Sequence, residues 1–159
     1  FCKCRSLFAH FAQANKKMNI YISMGFGNNY GDVWDIDLTL NWIDKIKSLG
    51  IKDIAIADTI GKANDELINE LAKSISKNFP DLNPSFHLHS TNDTAYSKID
   101  AAFNGGISKF DTAISGFGGC PFAEDKLVGN LATEILLKYC HDKEIKHNIK
   151  LKNFDNALK

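Results

Sequence analysis

Apolar residues recur along the chain at two spacings that alternate with each other. Short apolar runs, in which every second side chain shares a face, predict strands at 18–24, 53–57, 84–89 and 109–114. Repeats at three- and four-residue spacing predict helices within 40–49, 67–79, 99–104 and 131–140. The polar segment 143–159 is compatible with a last helix or a tail. The chain is therefore predicted to consist of repeated strand–helix units.

This alternation predicts parallel strands joined by crossover helices. A Rossmann-like sheet and a TIM barrel both satisfy the pattern. The Gly-x-Gly-x-x-Gly fingerprint of dinucleotide sites does not follow the first strand, whereas polar residues able to do chemistry follow several strands, as in barrel active sites. A full barrel needs about 250 residues. The four predicted strands therefore indicate an α/β protein that is the carboxyl-terminal half of a TIM (β/α)8 barrel.

The chain is long enough to bury a sizeable core. Its 159 residues are expected to form one partial barrel domain, in which the structure of 1–10 is left open. A start at Phe1 rather than Met favours a fragment or a processed product. Because a half-barrel lacks its closing strands, we expect two open sheet edges and uncovered apolar surface on Ile54, Ile56 and Phe86.

Composition narrows the range of partners. Nineteen basic residues balance nineteen acidic residues, which argues against a nucleic-acid or anionic-membrane partner. No apolar run approaches a membrane span, and no signal peptide is visible. The four cysteines show no disulfide-framework spacing, so we expect free thiols in a reducing, cytoplasmic compartment.

The residues best suited to chemistry lie between 86 and 134. His87 and His89 alternate along a predicted strand, so their side chains share a face and form a ready pair of metal ligands. A glycine-rich loop with Cys120 follows one strand–helix unit later, and Asn130 precedes the next helix. A metal pair, a thiol on a mobile loop and a further oxygen ligand suit metal-dependent carbon chemistry.

Each of these residues also has a structural interpretation. A histidine pair on a strand is by itself more often packing or surface, and Cys120 alone would be a small buried residue at a Gly-Pro turn. Asn130 is placed to cap the helix that follows it. Asp58, at the end of the second strand, is an ordinary turn former.

The stretch 19–139 resembles the carboxyl-terminal half of the 3-hydroxy-3-methylglutaryl-CoA lyase family. Gly-Phe-Gly-Gly-Cys-Pro-Phe-Ala at 116–123 is similar to the family's signature and is the most specific mark of the resemblance. Gly-Asn-Leu-Ala-Thr-Glu at 129–134 and Ala-Asp-Thr-Ile-Gly at 57–61 are similar to two further family segments. His-x-His is shared with a whole superfamily of metal-dependent TIM-barrel lyases and synthases.

The resemblance implies a metal site and a catalytic thiol. His87 and His89 would bind a divalent cation, magnesium or manganese, and Asn130 would supply an oxygen ligand. Cys120 would be the catalytic thiol on the mobile loop. Asp58 would lie in the acyl-binding pocket and help to handle the substrate's protons.

The resemblance also implies supporting and substrate-binding positions. Glu134 would support the site from behind the metal ligands, and Thr59, Gly118 and Gly119 would contact the substrate. One position departs from the family, because lyases often have Asp after the second histidine and this chain has Ser90.

The implied activity is retro-Claisen cleavage of 3-hydroxy-3-methylglutaryl-CoA to acetoacetate and acetyl-CoA, a step of leucine degradation and ketone-body formation. The substrate would be an acyl-CoA, and the full-length enzyme would be a homo-oligomer, cytoplasmic or in the mitochondrial matrix of a eukaryote. A Claisen-type synthase related to isopropylmalate or homocitrate synthase, and a non-catalytic half-barrel, are the alternatives. The family's first-strand Arg-Asp pair has no counterpart here, which predicts that the chain alone is inactive.

Overall fold

The computed structural model describes residues 6–7, 10–11, 13–14, 16–119 and 128–158. From residue 16 onward its strands are β1 (Asn19–Ile22), β2 (Asp53–Ala57), β3 (Ser85–His87), β4 (His89–Ser90), β5 (Lys109–Phe110) and β6 (Gly129–Asn130). The helices are α1 (Ile36–Lys47), α2 (Asp65–Asn78), α3 (Asn92–Asn104), α4 (Thr133–Asp142) and α5 (Leu151–Ala157). A short 3-10 turn spans Ile114–Gly116.

Four of these strands form one parallel sheet in the order β1-β2-β3-β5. Ile20 lies opposite Ile54, Ile56 opposite Phe86, and Phe86 opposite Phe110. Helices lie between successive strands of this sheet, as a parallel arrangement requires. The predicted sheet of four parallel strands alternating with helices is therefore confirmed.

The main core lies between this sheet and its helices. Ile54, Ile56 and Phe86 are 2%, 0% and 0% exposed, so the expectation that these residues leave uncovered apolar surface is wrong. They point to the helix layer, which covers them without any further strands. The helix residues of the same cluster include Ile43, Ile46, Ile68, Leu71 and Ile75.

The opposite face of the sheet carries polar side chains, with the small buried residues Ala55 and Ala57 among them. Successive side chains of a strand point to opposite faces, and Asp53, Ser85 and Lys109 alternate with the buried apolar residues of their strands. Together with Asp111 they border a cavity of about 560 Å³. The half-barrel therefore exposes a polar inner face and buries its apolar outer face.

The strands end earlier than the apolar pattern predicted, because the chain bends where the sheet stops. β1 ends at Ile22, shortly before Met24, whose φ is 56°. The predicted strand 84–89 is divided into β3 and β4, since His89 pairs with Asn130 of antiparallel β6 rather than continuing the parallel sheet. These bends gather several loops at the carboxyl ends of the strands.

Local sequence explains where the helices begin. The side chains of Asp35 and Asn64 accept hydrogen bonds from the backbone N–H groups of Leu38 and Leu67, which satisfies donors that a helix start leaves free. The polar segment near the end of the chain does form a helix, α5. Within the described residues, no helix has both the length and the apolar character needed to cross a membrane.

Candidate metal centre

The two histidines of the His-x-His motif lie side by side. The ring centroids of His87 and His89 are 5.3 Å apart, at an interplanar angle of 73°. His89 is 6% exposed, whereas the His87 side chain keeps 30% of its surface. The predicted proximity of the two imidazoles is therefore seen, with one ring buried and the other at the open inner face.

The surroundings keep His89 neutral. Burial is the main cause that lowers the pKa of His89 below its ordinary value, and the neighbouring His87 lowers the pKa further. The Nδ1 atoms of both histidines are buried and have no hydrogen-bond partner. A neutral imidazole is the state in which histidine binds a metal ion, and no hydrogen-bond partner competes for the Nδ1 atom of His89.

Asn130 is brought to the histidines by the small antiparallel sheet. It lies directly opposite His89 in the β4–β6 pair. The Asn130 side-chain Nδ2 donates to the carbonyl of Phe117 at 2.8 Å, and the Asn130 backbone N–H donates to the carbonyl of Gly118 at 2.9 Å. With the amide nitrogen engaged, the amide oxygen is the atom that can bind a cation.

The glycine-rich loop packs tightly against Asn130. Gly118 has a φ of +92°, and a Cβ at this position would lie 2.7 Å from the Asn130 Nδ2 atom. Gly119 forms an antiparallel bridge with Gly129. The backbone conformation favours glycine at 118, and a Cβ there would force the Asn130 amide group to move. Cys120 lies outside the described residues, so its predicted role as the catalytic thiol stays a prediction.

Glu134 supports the turn that leads into this loop, and its predicted role behind the metal ligands stays a prediction. Its carboxylate accepts the backbone N–H of Ser115 at 2.8 and 3.0 Å and lies 3.2 Å from the Ser115 hydroxyl. Ser115 has a φ of 55°, a conformation that needs such support. Glu134 on α4 therefore holds the 3-10 turn that leads into Gly118 and Gly119.

Asp58 and Thr59 connect the loops that follow β1 and β2. Asp58 is 1% exposed, and its carboxylate accepts from the backbone N–H of Lys62 at 3.1 Å and of Ala63 at 3.3 Å. The Thr59 hydroxyl accepts the backbone N–H of Met24 at 2.8 Å. Both side chains thus hold loop backbone. Their predicted parts in proton handling and substrate contact stay predictions.

Two residues beside His87 were not among the sequence candidates. Asp111 Oδ2 lies 3.5 Å from His87 Nδ1, and the Tyr21 hydroxyl donates to the same carboxylate oxygen at 2.6 Å. This bond to Asp111 raises the pKa of Tyr21 to about 12. A carboxylate beside a metal-binding imidazole orients the ring. The sequence feature that could have identified Asp111 is its position directly after the last strand of the parallel sheet, where site residues collect.

A third residue that the sequence analysis did not identify is Lys98, which is 5% exposed on the inward face of α3. Its Nζ contacts the backbone carbonyl of His89 and the carboxylate of Asp58. The sequence feature that could have identified it is its position at helical spacing among the apolar residues Ala95, Ile99 and Ala102, which predicts burial.

The residues present fit part of a metal site. Two adjacent imidazoles, whose Nδ1 atoms have no hydrogen-bond partner, and one amide oxygen are suitable ligands for a divalent cation. Among the described residues, no group of three or more His, Cys, Asp and Glu side chains could hold a metal ion by itself. Magnesium and manganese favour oxygen donors, so further oxygen ligands must join this set before such a cation is bound firmly.

The fold and the site together define a class of protein: a parallel half-barrel that gathers a histidine pair at the carboxyl ends of its strands, where barrel enzymes build their active sites. The chain belongs to the HMGL-like family, whose model matches residues 4–159.

Two curated relatives have sequences similar to this chain. Hydroxymethylglutaryl-CoA lyase YngG of Bacillus subtilis is 31% identical over 147 residues, which are 92% of this chain and 49% of the relative. The (R)-citramalyl-CoA lyase of Chloroflexus aurantiacus is 33% identical over 134 residues, 82% of this chain and 42% of that enzyme. The chain thus spans about half the length of the curated relatives it matches.

A solved structure shows the same half. The crystal structure of HMG-CoA lyase from Bacillus subtilis superposes with a TM-score of 0.87 at 29% sequence identity, covering 97% of this chain and 51% of that chain. The sheet described above therefore corresponds to half of a TIM-barrel lyase.

Proposed function

We propose that the chain supplies the carboxyl-terminal half of a divalent-cation-dependent lyase that cleaves a carbon–carbon bond of a 3-hydroxyacyl-CoA. The observation that carries the proposal is the grouping of His87, His89 and Asn130 at the carboxyl ends of the strands, beside the loop that leads to Cys120. Family membership and two lyase relatives support the same reaction class.

The proposed chemistry assigns a task to each part of the site. A bound magnesium or manganese ion would polarise the substrate's hydroxyl and an acyl oxygen, which lowers the pKa of the hydroxyl. His87, His89 and Asn130 would hold that ion, while Asp111 beside His87 orients one of the rings.

A base must take the proton of the substrate's 3-hydroxyl, whose oxygen becomes the carbonyl of the ketone product as the carbon–carbon bond breaks. The other product is an acetyl-CoA enolate, which must gain a proton. Cys120 follows Gly119 directly in the chain, and a thiol of lowered pKa is able to donate that proton near neutral pH. Gly118 and Gly119 permit the close backbone approach that brings this loop over the metal ligands, and Glu134 anchors the turn before it. A closed loop would exclude water from the enolate.

The substrate proposed first is 3-hydroxy-3-methylglutaryl-CoA, in leucine degradation and ketone-body formation. A second candidate is (R)-citramalyl-CoA, because the relative of that name is 33% identical to this chain. The complete enzyme is proposed to be a homo-oligomer of the cytoplasm or of the mitochondrial matrix. These assignments are proposals, since the chain spans only half of its relatives.

The test is an assay of acetoacetate release with manganese, using the 159-residue chain alone and mixed with the amino-terminal half of the Bacillus subtilis relative. We expect no turnover by the chain alone, turnover by the mixture, and loss of that turnover in His89→Ala. The matched control is His141→Ala, which changes an exposed histidine of α4 and should keep the activity. Undiminished metal-dependent turnover in His89→Ala would contradict the proposal. Pyruvate release from citramalyl-CoA alone would instead assign the second substrate.

A further inference from the structure

We propose that Lys98 is a positioning residue of the metal centre: its buried ammonium group fixes the backbone at His89 and thereby the spacing of His87, His89 and Asn130. The inference rests on the proposed function for its purpose, but its geometry stands on the described contacts. Lys98 Nζ donates to the His89 carbonyl at 2.8 Å and lies 3.4 Å from Asp58 Oδ2.

The ammonium group is enclosed. The Lys98 side chain keeps 7% of its surface and the Asp58 side chain 1%. Burying a charge is costly unless it is paired and hydrogen-bonded, and here one carboxylate and one carbonyl meet that need. An apolar side chain at 98 would fill the same space beside Ala95 and Ile99 without this cost. The lysine, unlike an apolar side chain, makes specific polar contacts that connect α3 to the end of β2 and to β4.

His89 lies in a very short strand, next to Leu88, whose carbonyl accepts the backbone N–H of Leu131 at 3.2 Å. β4 has two residues and pairs with the two-residue β6. Such a short ladder holds its register weakly. The bond from Lys98 to the His89 carbonyl is therefore a restraint that the short ladder does not itself supply. Because His89 pairs with Asn130, the same bond also helps to hold the backbone of Asn130, the predicted oxygen ligand.

Asp58 connects this restraint to the neighbouring loop. Its carboxylate receives backbone N–H groups of Lys62 and Ala63 as well as the lysine. Its own N–H donates to the His87 carbonyl at 2.9 Å. The Lys98 ammonium group therefore holds the His89 carbonyl directly, and through the Asp58 side chain it is joined to the loop whose backbone pairs with His87. An ion pair that served stability alone would not need the further bond from Lys98 to the His89 carbonyl.

The test uses the imidazole ¹H–¹⁵N correlation spectrum of the 159-residue chain, which needs neither substrate nor metal. In Lys98→Met we expect the signals of His87 and His89 to shift or broaden. Those of the three exposed histidines should stay in place as internal references; they are His10, His141 and His147. The matched control is Lys47→Met, which removes the half-buried partner of Asp81 and should move none of the five signals.

A second variant separates positioning from charge. Lys98→Met leaves the Asp58 carboxylate buried and uncompensated, so the double variant Lys98→Met with Asp58→Asn should regain part of the lost stability. Positioning predicts that the His87 and His89 signals stay displaced in the double variant. It also predicts that the manganese concentration needed to broaden those signals rises by about 10- to 100-fold.

Signals of His87 and His89 that match the unaltered chain in either folded variant would overturn the proposal. If Lys98→Met does not fold, the double variant decides alone, since it contains no unpaired charge. A chain that shows the expected signals but no lyase activity in the mixture would leave Lys98 as a positioning residue and would remove only the proposed reaction.

Discussion

At the scale of single residues, the site is held by close backbone contacts more than by side-chain pairs. Gly116 and Gly118 have φ angles of +64° and +92°, and a Cβ on either would come within 3 Å of Asn130. The loop before Cys120 and the predicted oxygen ligand are therefore packed as one unit. A small change in the conformation of this loop should therefore displace the side-chain amide of Asn130.

We expect Gly118→Ala to displace Asn130 as well as to destabilise the chain. The left-handed backbone should cost about 1–2 kcal/mol for any residue with a Cβ, and the contact of 2.7 Å with Asn130 Nδ2 forces a shift. Gly31→Ala is the matched control, because Gly31 has a φ of +76° and an open surrounding. Urea unfolding and the side-chain amide signals of Asn130 measure the two effects. Equal amide signals in both variants would contradict the prediction.

At the scale of elements, α3 is central because it contacts both the metal centre and α4. On the side toward α4, Asp100 Oδ1 accepts from Lys143 Nζ at 2.9 Å and from the hydroxyl of buried Tyr139 at 3.0 Å. The hydrogen bond from Lys143 is the main cause that lowers the pKa of Asp100 below its usual value near 3.8, and the bond from Tyr139 adds to it.

The α3–α4 contact should therefore weaken in acid. A carboxyl group whose folded-state pKa is lowered stabilises the fold above its unfolded pKa, and this contribution is lost as the pH falls through the folded-state pKa. We expect Asp100→Asn to be less stable than the unaltered chain at neutral pH, with a difference that shrinks as the pH falls below about 3.8. Urea unfolding at several pH values measures it.

A double-mutant cycle provides the control for this prediction. Lys143→Met removes the same ion pair from the other side, so the effects of Asp100→Asn and Lys143→Met should be less than additive. Additive effects, or a difference that does not depend on pH, would show that the carboxylate does not act through Lys143.

At the scale of the whole molecule, the open edges of the sheet determine whether the chain is expected to associate with other chains. In the described part of the chain the parallel sheet ends at β1 on one side and at β5 on the other. Next to β1 the surface is apolar: Tyr21 is 48% exposed, Val33 89% and Leu38 40%. An open strand edge beside exposed apolar side chains favours pairing with another chain.

We expect the isolated 159-residue chain to self-associate through this edge. Sedimentation velocity should show an average mass that rises with concentration, and Leu38→Lys should reduce that rise. Leu158→Lys is the control, since Leu158 is exposed to a similar extent, 43%, but follows α5. A chain that stays monomeric at all concentrations, or equal effects of the two variants, would contradict the prediction.

Sequence periodicity located the elements well and their ends less well. The apolar spacing within 67–79 corresponds to α2, and the run 53–57 is β2 to the residue. The run 84–89 was predicted as one strand but is two, because a hydrophobic pattern does not reveal that His89 changes its partner from the parallel sheet to β6. The prediction that Ile54, Ile56 and Phe86 are exposed was also wrong. The alternating pattern shows that a strand has two different faces, but it does not show which face the helices cover.

The sequence by itself determined the alternating parallel architecture and the adjacency of His87 and His89, because both follow from strand and helix periods that act over a few residues. Only the tertiary structure brought Lys98 to Asp58 and His89, and Asp111 to Tyr21 and His87. Lys98 and Asp58 are 40 residues apart and Tyr21 and Asp111 are 90. Such contacts arise where parallel strands end at a common edge, and their partners are set by strand order and helix packing, which no local period encodes.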